Sequence, residues 1–326
     1  MALTQTRPRR PVRPAPATGA APRPRRPGLW RRLARDRVLL LMLAPGVAYF
    51  LIFEYLPMVG NVIAFQDYVP FIGLADSEWV GLANFERMFT DGAFWNATAN
   101  TLVISLLQLV FFFPAPIALA LLLHSLTRDV VRRVAQSVLY LPHFLSWVIV
   151  VALFQQVLSS TGLVNGLLGD AGLHTVHILG NPDMFKPLVV VQVIWKDAGW
   201  GTIIFLAALS KVDEQLYEAS ALDGAGPWRR FWHVTMPSLR PIIVLLLILR
   251  LGDILTIGFE QMFLQRDAFG PEAAEVLDTF VYFTGIINGD YGYATAAGLF
   301  KGVVGGLLIY AANRVAHWFG EQGVYR

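Results

Sequence analysis

The ionisable residues of this 326-residue chain occupy two kinds of place. Some interrupt long apolar runs: Lys196 and Asp197 within Trp195-Lys196-Asp197-Ala198-Gly199-Trp200, then Arg250, Asp253, Glu260 and Lys301. Others crowd one polar stretch, 211–241, which reads KVDEQLYEASALDGAGPWRRFWHVTMPSLRP. An ionisable group inside an apolar span is costly unless it finds a partner or water, so such residues mark a bundle interior or an aqueous path. Trp195, Lys196, Trp200, Glu260 and Lys301 are the candidates for lining that path. Lys196 and Asp197 are neighbours in sequence, about 100° apart on a helix, and do not stack face to face. Arg250 and Asp253 are spaced i, i+3 and are expected to form a structural ion pair.

Catalytic chemistry is hard to place. With no cysteine, thiolate metal sites, disulfides and cysteine nucleophiles drop out. His174 and His177 lie close in sequence, but no further ligands accompany them, so a solvated pair is expected and no metal site. The chain holds neither G-x-S-x-G nor H-E-x-x-H. Its four lysines, Lys186, Lys196, Lys211 and Lys301, are followed by Pro, Asp, Val and Gly, so no G-x-x-x-x-G-K-[ST] phosphate loop exists. No catalytic, cofactor or metal residue is assigned. Carboxylates within spans would permit proton relay, so a proton- or ion-coupled carrier and a membrane enzyme stay open on the residues alone. No repeat relates the two halves, which disfavours the inverted-repeat carriers.

The elements that must position these residues are membrane helices. The apolar fraction is 55% and the charged fraction 15%, and the mean hydropathy is +0.52. Six runs are long enough to cross a bilayer at about 20 residues each: 38–56, 101–123, 138–158, 187–209, 242–263 and 293–316. Residues 1–37 differ in kind, with eleven arginines and many prolines, and read as a disordered cytoplasmic tail suited to anionic lipid, not nucleic acid. A signal peptide fits poorly, because the following run ends in Glu54-Tyr55-Leu56-Pro57 and lacks a small-residue cleavage site. With the N-terminus inside, inner segments hold 20 Lys and Arg and outer loops three. The positive-inside rule thus places both termini and the stretch 211–241 in the cytoplasm. In the last run, Ala294, Gly298, Gly302 and Gly306 recur every four residues and form a ridge that lets another helix approach.

Within 211–241, good helix formers run to Leu222, and Asp223-Gly224 ends that helix because glycine accepts the left-handed backbone. Pro227 starts a second short helix, and Pro237 and Pro241 stop it. The run Glu218-Ala219-Ser220-Ala221-Leu222-Asp223-Gly224-Ala225, followed by Phe231, Met236-Pro237 and Pro241, resembles the EAA loop of ABC importer permeases. Ser220 replaces the family's second Ala, and Met236 its usual Leu. The outer-loop stretch Trp79-Val80-Gly81-Leu82-Ala83-Asn84-Phe85, then Phe94-Trp95 and Asn100-Thr101-Leu102, is similar to the carbohydrate-uptake branch. Tyr140-Leu141-Pro142-His143-Phe144-Leu145-Ser146-Trp147 looks like the branch that imports oligosaccharides and polysaccharide fragments.

The resemblance runs from Val38 to Arg326 and implies an all-α membrane protein with a type I ABC importer permease core. It divides the chain into a tail (1–37), a first helix with a long outer loop (38–98) and a five-helix core (99–320). It implies a coupling helix that docks on a separate ATPase, with Glu218 making the polar contact, Ala219 on the same helix, Asp223, Gly224 and Ala225 shaping the corner, and Pro237 bracing it. Implied partners are a second permease subunit, two ATPase subunits that use the ATP, an extracellular solute-binding protein and a carbohydrate. Sugars suit an aromatic and polar path, since their apolar faces stack on rings while hydroxyls take hydrogen bonds.

Overall fold

The computed structural model describes residues 36–318. The arginine-rich tail therefore lies outside the described residues, except for Asp36 and Arg37. The chain divides into two compact units between Val59 and Gly60, inside the segment 38–98 that the resemblance groups together.

The first unit contains helix α1, Arg37–Phe50, continued by a π-turn at Leu51–Tyr55 and a last turn at Leu56–Val59. Its side chains are apolar all round and residues 37–59 are all exposed, the pattern of a helix whose solvent is lipid.

The second unit begins with a folded lobe. A 3-10 turn, Gly60–Phe65, leads into an antiparallel pair, β1 (Gln66–Asp67) and β2 (Glu78–Trp79), and a helix at Ala83–Thr90. Asn84 Nδ2 donates to the carbonyls of Ala64 and Gln66, at 3.0 and 3.1 Å, which fixes the turn.

The bundle follows. Helix α2 (Gly92–Leu107) runs through a π-turn at Gln108–Phe112 into α3 (Pro114–His124). The turn accommodates Pro114 and Pro116, whose nitrogens cannot join the α-helical ladder. Helix α4 (Asp129–Tyr140) ends in a 3-10 turn at Leu141–Phe144, and α5 (Trp147–Leu158) restarts from Ser146, whose Oγ accepts from the Ile149 N–H at 3.4 Å. Helix α6 (Pro182–Leu209) is the 28-residue centrepiece, with Phe185, Val189, Gln192, Lys196, Gly199 and Thr202 among its buried residues. Helix α7 (Glu214–Leu222) lies between it and α8 (Met236–Gly252). After a break come α9 (Phe259–Phe269), α10 (Leu277–Tyr282) with a π-turn at Phe283–Ile287, and α11 (Tyr291–Trp318). The lobe sits against α11. Arg87 pairs with Asp290 at 2.5 Å, Tyr293 Oη donates to Asp91 at 2.6 Å, and the Arg87 guanidinium lies over the Tyr293 ring.

Among the described residues six helices are long and apolar enough to span a membrane, as expected, but two expected spans are corrected. The run 138–158 is not one helix, because Pro142 and the Ser146 cap break it between Tyr140 and Trp147. The run 242–263 starts too late and ends too late: the span is Pro227–Gly252, and the chain breaks at 253–258. The break is invisible to hydropathy because Leu255 and Ile257 are buried in the core. Gly258 takes φ +88 there, which only glycine adopts readily. A shorter apolar helix, Leu277–Ile287, was not expected as an element.

Candidate functional site

Two places carry the candidate residues. The first is the polar stretch. Helix α7 starts where Asp213 accepts from the Gln215 N–H at 2.9 Å. It ends in a Schellman corner: Ala225 N–H donates to Ser220 O at 2.9 Å and Gly224 N–H to Ala221 O at 3.0 Å, with Gly224 at φ +74. Pro227 opens the next helix, and Arg230 Nε reaches back to the Ala225 carbonyl at 3.0 Å. The Tyr217 hydroxyl meets Thr235 Oγ1 at 3.0 Å, tying α7 to the segment that enters α8. Pro237 and Pro241 do not stop the helix as expected: 227–252 runs on as one span, and a π-turn at Phe231–Thr235 just before Pro237 accommodates its missing N–H.

None of the nine residues of α7 is buried. Glu218, Ala219, Asp223 and Gly224 are exposed and Ala225 half-buried, while Leu222 stands 90% exposed at the tip. The helix is braced internally and presents Glu218 and Leu222 to the outside. Arg230, Tyr217 and Thr235 brace the corner and were not expected from the sequence, which shows spacing along one helix but not ties between helices.

The second place lies midway along α6. A Cβ on Gly199 would sit 1.9 Å from the Leu139 carbonyl oxygen, so the end of α4 presses on the α6 backbone there. That approach lays the broken segment after Tyr140 on the face of α6 that holds residues 196–200. His143 Nδ1 hydrogen-bonds Asp197 Oδ1 at 2.8 Å, and its ring stacks on Trp200 with centroids 4.4 Å apart and planes 6° apart. Lys196 Nζ donates to the His143 carbonyl at 2.6 Å, lies 3.9 Å from Asp197 Oδ1 and faces the Trp147 ring. Phe144 meets Trp200 edge-on, and Trp195 meets Phe154 edge-on. Trp195 and Trp200 are exposed, whereas Lys196 is buried.

The remaining candidates lie elsewhere. Lys301 pairs with Asp278 across α11 and α10. Glu260 is exposed in the first turn of α9. The expected Arg250–Asp253 pair is corrected: the guanidinium donates to Gln108 Oε1 and lies over the Phe112 ring. Asp253, at the C-cap of α8, is near enough for its charge to act on Arg250 but makes no direct ion pair with it among the described residues. His143 and Asp197 were not singled out, although Pro142 inside an apolar run is the signal of a break that could bring a polar residue inward. A third polar cluster is fully buried. Gln192 and Gln265 exchange two amide hydrogen bonds at 3.0 Å each, and Gln261 Nε2 donates to Gln192 Oε1 at 2.8 Å and to the Val189 carbonyl at 2.9 Å. Among the described residues, no group of three or more His, Cys, Asp or Glu could hold a metal.

Comparison with known proteins fits this arrangement. The family model described as "Binding-protein-dependent transport system inner membrane component" matches residues 112–320. The polygalacturonan/rhamnogalacturonan transport system permease protein YteP of Bacillus subtilis is 48% identical over 95% of this chain and 98% of its own length. Protein LplB of the same organism is 47% identical, over 90% and 92%. A solved bacterial alginate ABC transporter in complex with alginate pentasaccharide-bound periplasmic protein superposes with a TM-score of 0.83 at 38% identity, covering 91% of this chain and 99% of that one. These matches favour neither the secondary carrier nor the membrane enzyme. The protein belongs to the binding-protein-dependent transport system inner membrane components, the permease subunits of ABC importers.

Proposed function

We propose that this permease forms the translocation path for an oligosaccharide and is driven through α7 by a separate ATPase. The observation that carries the reading is the exposed, self-braced helix Glu214–Leu222 with its glycine corner, set on a loop between two spans. Glu218 makes the polar contact and Ala219 lies on the docked helix. Asp223, Gly224 and Ala225 hold the corner, and Pro237 holds the entry to α8. ATP is consumed by two partner subunits. Their closure moves α7 as a rigid body and tilts α6 and α8, exchanging an inward-open cavity for an outward-open one. Both termini lie on the cytoplasmic side of a bacterial inner membrane, as the arginine and lysine bias supports.

A second, similar permease subunit completes the path, and an extracellular solute-binding protein delivers the sugar. Trp195 and Trp200 offer ring faces to it midway across, beside Lys196, while Glu260 and Lys301 stand further along the route. The names of the similar proteins, a polygalacturonan/rhamnogalacturonan permease and an alginate transporter, support a carbohydrate. The test is affinity purification of the intact chain from its native membrane in mild detergent, followed by uptake in proteoliposomes. Recovery with a second permease and an ATPase, and ATP-dependent uptake of a labelled oligosaccharide, is the expected result. Recovery alone, or uptake driven by an ion gradient without ATP, would sink the reading.

A further inference from the structure

We propose that His143 is the group that meets a carboxylate on the transported sugar, and that Lys196, the more obvious cation, does not. This rests on the reading that the cluster midway along α6 lines a sugar path. The argument is one of occupancy. Lys196 is 7% exposed, and its ammonium is committed to the His143 carbonyl at 2.6 Å with Asp197 at 3.9 Å. The Arg250 guanidinium is committed to Gln108, and the Lys301 ammonium to Asp278. Each of these three cations thus already has its partner, and withdrawing one would leave a buried acceptor or charge unpaired.

His143 differs in three ways. It is half-buried, its Nδ1 is engaged by Asp197, and its Nε2 has no hydrogen-bond partner among the described residues. Asp197 on Nδ1 fixes the ring plane and directs Nε2 away from the carboxylate. With Nδ1–H given to Asp197, a proton on Nε2 makes an imidazolium that donates from both nitrogens. The stack with Trp200 puts this ring parallel to an indole that is still 45% exposed. The imidazole covers one face of that indole, so the sugar takes the open remainder of the stack and turns its acidic substituent round the edge toward Nε2. Charge then balances locally: Lys196 and protonated His143 face Asp197 and the incoming carboxylate.

Asp197 and Lys196 from α6 are the titratable groups that meet this residue.

The test uses the assembled importer in nanodiscs, without solute-binding protein, and equilibrium titration with trigalacturonate and its carboxyl-reduced form. Wild type is expected to bind the acid about tenfold tighter than the alcohol, the worth of a charge-assisted hydrogen bond. His143→Phe, which keeps the stack, brings the two affinities together. His143→Gln, which keeps a polar head toward Asp197 and guards against misassembly, gives an intermediate ratio. Lys196→Met lowers the yield of complex and keeps the acid preference. A preference that survives both His143 variants, or that collapses in Lys196→Met, overturns the proposal. Equal binding of both probes by wild type overturns it while leaving the sugar path standing. Binding of neither overturns both.

Discussion

The coupling stretch and the cluster midway along α6 are built by opposite means. The hydrogen bonds described for the coupling stretch join residues no more than 18 positions apart: Ser220 with Ala225, Ala225 with Arg230, Tyr217 with Thr235. The cluster joins His143 to residues 53 and 54 positions away, Lys196 and Asp197. The first region folds on its own terms and turns outward. The second exists only once α4 has docked on α6. Under the proposed function, the part that transmits motion has to keep its shape while it moves, which short-range ties give, and the part that lines the path has to open and close, which contacts between separate helices allow.

Four substitutions test this contrast, beginning with the largest expected effect. Gly199→Leu drives a side chain into the Leu139 backbone and should remove the assembled complex from the membrane fraction altogether. Correctly assembled variant at wild-type yield would mean α4 and α6 do not touch as described. Gly224→Val forces a β-branched residue to φ +74 and should abolish uptake while membrane insertion persists. Normal uptake by that variant ends the coupling assignment. Trp200→Ala should lower uptake about tenfold, the scale of a lost aromatic face of roughly 1.5 kcal/mol, with ATPase stimulation much less affected. Equal losses in both assays would indicate misassembly. Tyr217→Phe removes one hydrogen bond to Thr235, worth about 1 kcal/mol, and should weaken ATPase stimulation a few-fold without touching sugar binding. A change in sugar binding instead would blur the division between the two regions.

The same contrast explains what the sequence made legible. Gly224, Asp223 and Pro227 spell out their corner because capping and turn chemistry are local, and α7 forms where its pattern puts it. Six spans were countable because lipid demands length and hydropathy. The break at 253–258 was not, since Leu255 and Ile257 are as apolar as any span while packing against protein. Nor was the role of His143, whose neighbours are assigned by helix docking that no periodicity records. Arg250 shows the limit most plainly. Spacing offered it Asp253, but its hydrogen bond goes instead to Gln108 in a π-turn of another span.

The buried amide cluster has a mechanical consequence. Gln192 on α6 and Gln265 on α9 clasp each other in a closed ring of two hydrogen bonds, with Gln261 fastened alongside. Parting them would strand several amide groups away from water. Helix α9 is therefore an outrigger of α6, although the peptide chain hangs it from α8. The six residues from Asp253 to Gly258 thus tie α8 to a helix clamped on α6, so under the proposed tilting of α6 and α8 any difference between the two falls on this link.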